Sequence, residues 1–406
     1  MVNRLVVLTA KLCTLFFLGF SFCGVGIVYA ADSTGAQVAP VPVAATPAIT
    51  TVIPSPPDFD AKSYILMDAN SGYVIAEKNA NLRASLASVT KVMSLYVVAK
   101  TLRAGQIHLN DQVTVSENAW RTGGSRMFIK VGTNVTVEDL IKGMVVASGN
   151  DATVAMAERI AGTEQAFAGL MNQEARNLKM KDTNYFDGSG LNDSNYSTAF
   201  DLAALAKAWV LDFPEYYPWF KEKWEVYNGI RQPNRNRLLW RDASVDGIKT
   251  GHTNEAGYCL IASAIRNGMR LIVVVMGAKN DSARANNSMA LLNYGFRFFE
   301  TRKLFAANAN MAKPKVWFGK DSEVALGLPE DLYVTLPAGQ HKNIKAKAII
   351  NGELKAPIIK GNSYGVIKVS LDDKVIATKP LVALKDNPRA NFLFVGFDYI
   401  RKLFNK

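Results

Sequence analysis

The apolar positions of this chain change period several times, and each change marks an element. Positions 12–28 are an almost unbroken apolar run behind Arg4 and Lys11, ending in Val28-Tyr29-Ala30 before Ala31-Asp32, where small residues suit a signal peptidase. Residues 1–30 therefore read as an export signal, with an uncleaved membrane anchor as the alternative. Residues 31–57 turn to Ala, Val, Thr and Pro, a composition that favours extended backbone and builds no core, so a tether is expected. Short β-prone runs at 64–67 and 73–76 flank Asp68-Ala69-Asn70-Ser71-Gly72 and predict a hairpin.

Helical spacing follows. Val92, Leu95, Tyr96 and Ala99 share a face of a helix over 88–103, and Thr136 with Asp139 forms a capping box for a second. After Asp182 the chain reads as loop-like as far as Leu238. Strands are then predicted at 246–250, 257–265 and 270–276, the last two joined by the tight turn Arg266-Asn267-Gly268-Met269, and a helix over 283–300. Helices ahead of a terminal meander imply an α/β domain, an antiparallel sheet flanked by helices, over 58–300. Beyond it, alternating runs at 332–336, 346–350 and 366–371, with turns at Asn351-Gly352 and Asp372-Asp373, predict a small all-β domain over 301–387.

The last segment, 388–406, places Leu393, Phe397, Ile400 and Phe404 on one helical face, widened by Phe392, Val395 and Leu403, with Asp398, Arg401 and Lys402 elsewhere. Those charges, and a length of about 25 Å, point to a helix lying in a membrane surface and not across it. The alternative is a helix docked on its own protein.

Composition narrows the class. The 406 residues, 49% hydrophobic and 20% charged, describe a globular chain of two to three domains. The net charge of +12 falls to +10 once Arg4 and Lys11 leave, and it is spread without a polybasic block. That excludes a nucleic-acid groove and favours an anionic envelope as surroundings. Cys13 and Cys23 fall in the export signal, and Phe22 spoils a lipobox, so Cys259 remains as a buried structural thiol. His341 beside Lys342 reads as a solvated loop.

Three short motifs carry chemistry: Ser88-Val89-Thr90-Lys91, Ser148-Gly149-Asn150 and Lys249-Thr250-Gly251, once each and in that order. Amide cleavage by serine needs a nucleophile, a base within hydrogen-bond reach and donors aimed at the oxyanion. Ser88 and Lys91 lie one helical turn apart on one face. An amine with an ordinary pKa is neutral in only about one molecule in a thousand at pH 7, so Lys91 must be lowered by burial and a nearby cation, Lys249 being the candidate. Ser148 can relay a proton to the leaving amine, and the Asn150 amide can bond both Lys91 and a substrate carbonyl. Lys249, Thr250 and Thr253 suit a carboxylate. His252 can lend its backbone N–H to the oxyanion, whereas a Ser-His-Asp triad built on its ring is disfavoured.

With the flanking Ala84-Ser85-Leu86-Ala87, Asp151-Ala152, Asp246-Gly247-Ile248 and Gly295-Phe296-Arg297-Phe298-Phe299-Glu300, these motifs resemble the low-molecular-mass penicillin-binding proteins that are serine-type D-alanyl-D-alanine carboxypeptidases. The resemblance runs from about Phe59 to the C-terminus. It implies the serine β-lactamase/penicillin-binding fold, with Ser88 as nucleophile, Lys91 as base, Ser148 and Asn150 as the second element and Lys249 as the third. It adds Arg284 as a holder of the terminal carboxylate, and Arg235 at the site's edge, though its spacing to Lys249 is one residue short. It also implies peptidoglycan pentapeptide stems as substrate, β-lactam antibiotics as covalent inhibitors, and no metal or organic cofactor. The expected location is the periplasmic face of the inner membrane, with the terminal helix on the membrane surface. One segment departs from close relatives: Phe186-Asp187-Gly188-Ser189-Gly190-Leu191-Asn192 stands where a His-Gly-Leu or Asn-Gly-Leu is common. Its Leu191-Asn192 has Gly188 where class A β-lactamases carry a deacylating glutamate, which disfavours rapid β-lactam turnover.

Overall fold

The computed structural model of the chain describes residues 53–404, so the expected export signal and most of the tether lie outside the described residues. The predicted hairpin opens the folded part: β1 (Ser63–Asp68) and β2 (Val74–Lys78) pair antiparallel. A helical layer follows, with α1 (Lys91–Arg103), α2 (Val137–Lys142), α3 (Asn150–Ala161) and α4 (Glu164–Asn177). Thr136 caps α2 as its spacing predicts: its hydroxyl accepts the Asp139 N–H at 3.0 Å and donates to Asp139 Oδ2 at 2.8 Å.

The expectation of a loop from Asp182 to Leu238 is wrong. That stretch holds α5 (Ala199–Asp212), the hairpin of β3 (Trp224–Tyr227) and β4 (Ile230–Pro233), and the short α6 (Leu238–Arg241). The reason is burial. Apolar residues lie all round α5, so it shows no amphipathic period, and it sits in the core with Leu202, Leu205 and Trp209 sealed from solvent. The Trp209 indole donates to the Val92 carbonyl at 2.9 Å and ties α5 to α1.

The predicted meander is present as β5 (Val245–Thr253), β6 (Gly257–Arg266) and β7 (Met269–Ala278). It joins the first hairpin in an antiparallel five-stranded sheet, in the order β2-β1-β7-β6-β5, which leaves β5 as an edge. One sheet face, through Ile261, Ile272 and Val274, packs on the layer of α1 and α5. The other, through Leu260, Ala262, Leu271 and Val273, packs on Leu291 and Leu292 of α7 (Asp281–Phe298). The helix expected to reach residue 300 stops at Phe298, because Phe299 starts a strand. Cys259 is fully buried in β6, and burial pushes its thiol up to about 11.

A separate core, with Leu326, Val334, Ile367, Val369 and Leu381, serves the all-β region. There β8 (Phe299–Phe305), β9 (Asn310–Ala312), β10 (Leu326–Gly327), β11 (Leu332–Pro337), β12 (Ile344–Ile350), β13 (Ser363–Leu371) and β14 (Lys374–Ala383) form a β8-β11 pair and a sheet ordered β9-β10-β14-β13-β12. His341, expected in free solvent, instead bonds Glu300 Oε1 at 2.9 Å.

A ring of hydroxyls joins this region to the first sheet. Asp68, buried at the end of β1, accepts from Ser71 Oγ at 2.8 Å and Thr301 Oγ1 at 2.7 Å, and Thr335 Oγ1 lies 2.6 Å from Ser71 Oγ and 2.8 Å from Thr301 Oγ1. A buried carboxylate needs such donors, so the ring holds the two regions together. The chain closes with α8 (Phe392–Phe404).

Candidate active site

Ser88 lies in a tight 3-10 turn, Ala87–Thr90, that runs directly into α1, and the preceding Ala87 takes φ +49°, a left-handed conformation that a non-glycine residue adopts at a cost. Lys91, the first residue of α1, is completely buried. Its Nζ lies 3.2 Å from Ser88 Oγ and donates to Asn150 Oδ1 at 2.6 Å and to the Ser189 carbonyl at 2.7 Å. A neutral amine has two hydrogens and one lone pair. The two carbonyl-type acceptors take the hydrogens, so the lone pair is left for the Ser88 hydroxyl. Burial lowers Lys91 to about 7, against the pull of Asp187 and with the help of Arg235.

The cation that helps to lower Lys91 is Arg235, which the sequence placed only at the site's edge, and not Lys249 as expected. Lys249, also sealed from solvent, is driven well below its usual range, first by burial and then by Lys91, Arg235 and Arg284. The cleft is too poor in counter-charge to keep both amines protonated.

Ser148 follows a π-helical turn, Gly143–Ala147, and adopts φ 60°, ψ 34°. Its hydroxyl is buried and has no hydrogen-bond partner within the protein, so it is left available to a bound molecule. Asn150 begins α3, with Nδ2 donating to the Gly123 carbonyl at 2.8 Å and Oδ1 accepting from Lys91. The Asp151 carboxylate accepts the N–H groups of Met127, Phe128 and Ile129 and so pins the neighbouring loop. In that loop the Ser125 hydroxyl accepts from Arg235 at 2.7 Å.

The edge strand β5 brings Lys249 and Thr250 to the opposite wall, both almost wholly buried. Gly251 explains the close approach: a Cβ there would stand 2.9 Å from the Leu86 carbonyl and 3.1 Å from the Ser88 nitrogen, so a side chain would force the strand off the nucleophile. Thr253 Oγ1 accepts the Ala256 N–H at 3.1 Å and closes the turn into β6. His252 is exposed, its ring 4.0 Å from that of Tyr258, and among the described residues no hydrogen bond links it to Ser88. Arg284, buried on α7, donates to the Gly251 carbonyl at 2.9 Å and to Asp281 at 2.5 Å, bracing the strand from behind.

Sequence reasoning missed how residues 187–195 serve the site. Asp187, buried, accepts the N–H groups of Ser189 at 2.8 Å, Gly190 at 2.5 Å and Asn192 at 2.5 Å, and the Asn195 amide at 3.1 Å. This holds the Ser189 carbonyl against Lys91. Gly190, at φ +82°, lies so close to the Ala87 carbonyl that a Cβ would come within 1.9 Å. The available signal was a run of Asp, Gly, Ser and Asn, which reads equally well as a turn. Among the described residues, no group of three or more His, Cys, Asp or Glu side chains is placed to hold a metal ion.

The family profile described as D-alanyl-D-alanine carboxypeptidase, peptidase S11, matches residues 50–280, and that of the penicillin-binding protein 5 C-terminal domain matches 299–389. The D-alanyl-D-alanine carboxypeptidase DacA of Escherichia coli strain K12 is 45% identical over 366 residues, 88% of this chain and 91% of the relative. Penicillin-binding protein 5 from Haemophilus influenzae superposes with a TM-score of 0.79 at 41% identity, over 82% of this chain and 99% of its own. Penicillin-binding protein D2 from Listeria monocytogenes, in its ampicillin-bound form, gives a TM-score of 0.54 at 27% identity, over 58% and 97%.

Proposed function

Since the chain belongs to the D-alanyl-D-alanine carboxypeptidase family of serine peptidases, we propose that it removes the terminal D-alanine of peptidoglycan pentapeptide stems through an acyl-enzyme on Ser88. The observation that carries the assignment is the fully buried Lys91 amine, 3.2 Å from the Ser88 hydroxyl, with both its hydrogens taken by carbonyl oxygens.

Ser88 Oγ attacks the carbonyl of the penultimate residue while its proton passes to Lys91 Nζ. The backbone N–H groups of Ser88 and His252 receive the oxyanion. Lys91 then gives that proton up by way of the Ser148 hydroxyl, which donates to the departing amine as it is resupplied, and D-alanine leaves. Asn150 steadies a substrate carbonyl. Lys249, Thr250 and Thr253 hold the terminal carboxylate, and Arg284 adds its charge from behind the strand. Water then attacks the ester and returns Ser88 to the hydroxyl form.

The amide of a β-lactam ring enters by the same route, and its leaving nitrogen stays tethered. Gly188 brings no carboxylate to activate water, so the adduct is released slowly.

The chain divides into an export signal at 1–30, a tether at 31–57, the catalytic domain at 58–300, a β spacer at 301–387 and an anchor at 388–406. No helix among the described residues is long and apolar enough to cross a membrane. The terminal helix supports surface attachment: Phe392, Phe394 and Phe397 are 82%, 67% and 67% exposed. Its other side docks on the β region, where Asp398 accepts the Phe318 N–H at 2.7 Å and the Tyr399 ring lies 4.6 Å from that of Phe318. The enzyme would work at the periplasmic surface of the inner membrane.

The test is release of D-alanine from diacetyl-Lys-D-Ala-D-Ala by the wild type and by Ser88→Ala, together with mass spectrometry after labelled penicillin. Release and adduct are both expected to vanish in the variant. A penicilloyl group found on any other residue overturns the assignment.

A further inference from the structure

Past the carboxylate end of the cleft lies a cavity of about 580 Å³, lined in part by Trp224, Trp240, Arg235, His252, Tyr258 and Arg284. Three of these, Arg235, His252 and Arg284, also face or brace the catalytic cleft, so the two spaces share a wall. The far wall is aromatic and comes from separate elements: Trp224 from β3 and Trp240 from α6, with their rings 5.9 Å apart and edge to face. Both indoles remain open to water, at 42% and 40% exposed, a sizeable apolar area for one cavity wall. The Arg231 guanidinium, 4.0 Å above the Trp224 ring, props one side of the wall.

The charges are unequal. Asp281 serves both Arg237, at 2.6 Å, and Arg284, at 2.5 Å, while Arg235 has a hydroxyl partner, Ser125, and among the described residues no carboxylate in ion-pair range.

The leaving residue carries three groups on its Cα. Its nitrogen departs from the Ser88 centre, and its carboxylate is held by Lys249 and its neighbours. The side chain is the remaining direction, and this cavity opens beside His252 and Arg284, which belong to the wall that carries the carboxylate anchor. A methyl group leaves the indoles in water, whereas a planar ring covers them.

From this juxtaposition we infer that the cavity is a binding subsite for the side chain of the leaving residue, and that it accepts C-terminal D-amino acids with flat aromatic side chains. The inference rests on the carboxypeptidase reading above. It makes Trp224 and Trp240 determinants of which residue is removed, with no part in the acyl transfer itself.

The experiment compares the full chain with Trp240→Ala, Trp224→Ala and Trp240→Phe on diacetyl-Lys-D-Ala-D-Ala and diacetyl-Lys-D-Ala-D-Phe, measuring the amino acid released. In the wild type, D-phenylalanine is released with a kcat/KM within about tenfold of that for D-alanine. Truncation of either indole lowers the D-Phe to D-Ala ratio of kcat/KM by about three- to tenfold, mainly through KM, and Trp240→Phe restores most of it. Acylation by labelled penicillin in each variant shows that the cleft is intact. Three results overturn the subsite: a ratio unchanged in both alanine variants, a loss confined to kcat, or a wild type that releases D-alanine but no D-phenylalanine. Failure of the wild type to release D-alanine at all is a different result: it removes the carboxypeptidase reading, and the subsite falls with it.

Discussion

The cleft around Ser88 and the helix at the end of the chain break the same burial rule in opposite directions. The cleft hides Lys91, Lys249 and Arg284 from water, whereas the helix leaves Phe392, Phe394 and Phe397 in it. Charged groups are rarely buried unless paired, and contiguous apolar surface is rarely exposed unless it is covered by something else. The comparison teaches that the two exceptions have separate physical roles. One lowers an amine toward neutrality, and the other, on the reading proposed above, offers area to a membrane surface.

The sharpest way to break the comparison is Lys91→Ala. If the buried amine is the base, penicillin acylation should fall by about a thousandfold or more, with the fold intact by circular dichroism. In the wild type the acylation rate should rise as pH climbs through about 7, because only deprotonated Lys91 can accept the Ser88 proton, and level off above that. A limb near the ordinary lysine value of about 10 would place the base elsewhere.

A smaller effect is expected from Asp187→Asn. Asparagine keeps one carbonyl oxygen but turns an N–H toward the Asn192 N–H, which loosens the support of the Ser189 carbonyl. The loss of negative charge also removes a pull that favours the ammonium form. We expect kcat to fall about tenfold and the acidic limb to move below its wild-type position. A fall with an unmoved limb would reduce Asp187 to a structural support.

Deletion of 392–406 should change turnover least. The truncated protein should appear in the soluble fraction after fractionation while kcat/KM for diacetyl-Lys-D-Ala-D-Ala stays within about twofold. Continued sedimentation with membranes would show that the exposed phenylalanines are not the attachment.

Much of this was legible in the chain because local pattern and local structure agree. Asn267-Gly268 turns the hairpin between β6 and β7, and Thr136 with Asp139 starts α2. The spacing of Ser88 and Lys91 survives whether the intervening residues are α or 3-10, since either turn brings positions three apart onto one side. What was hidden needed tertiary information. Apolar residues occupy the exposed face of α5 as well as the buried one, with Phe200 and Leu211 open to solvent, which erased its period, so a 14-residue helix read as loop. The resemblance placed Arg235 at the site's edge but did not show its charge acting on Lys91, and Asp187 acts through backbone N–H groups, which no choice of neighbouring residue announces.

The hydroxyl ring around Asp68 has a mechanical consequence. Four oxygen contacts share only three hydroxyl hydrogens, so with Ser71 and Thr301 both donating to Asp68 the Thr335 proton can swing between Ser71 and Thr301 without opening the junction. The seam between the first sheet and the all-β region is thus closed by a bond that can change partners while its oxygens stay in place, a latch that tolerates a moving proton.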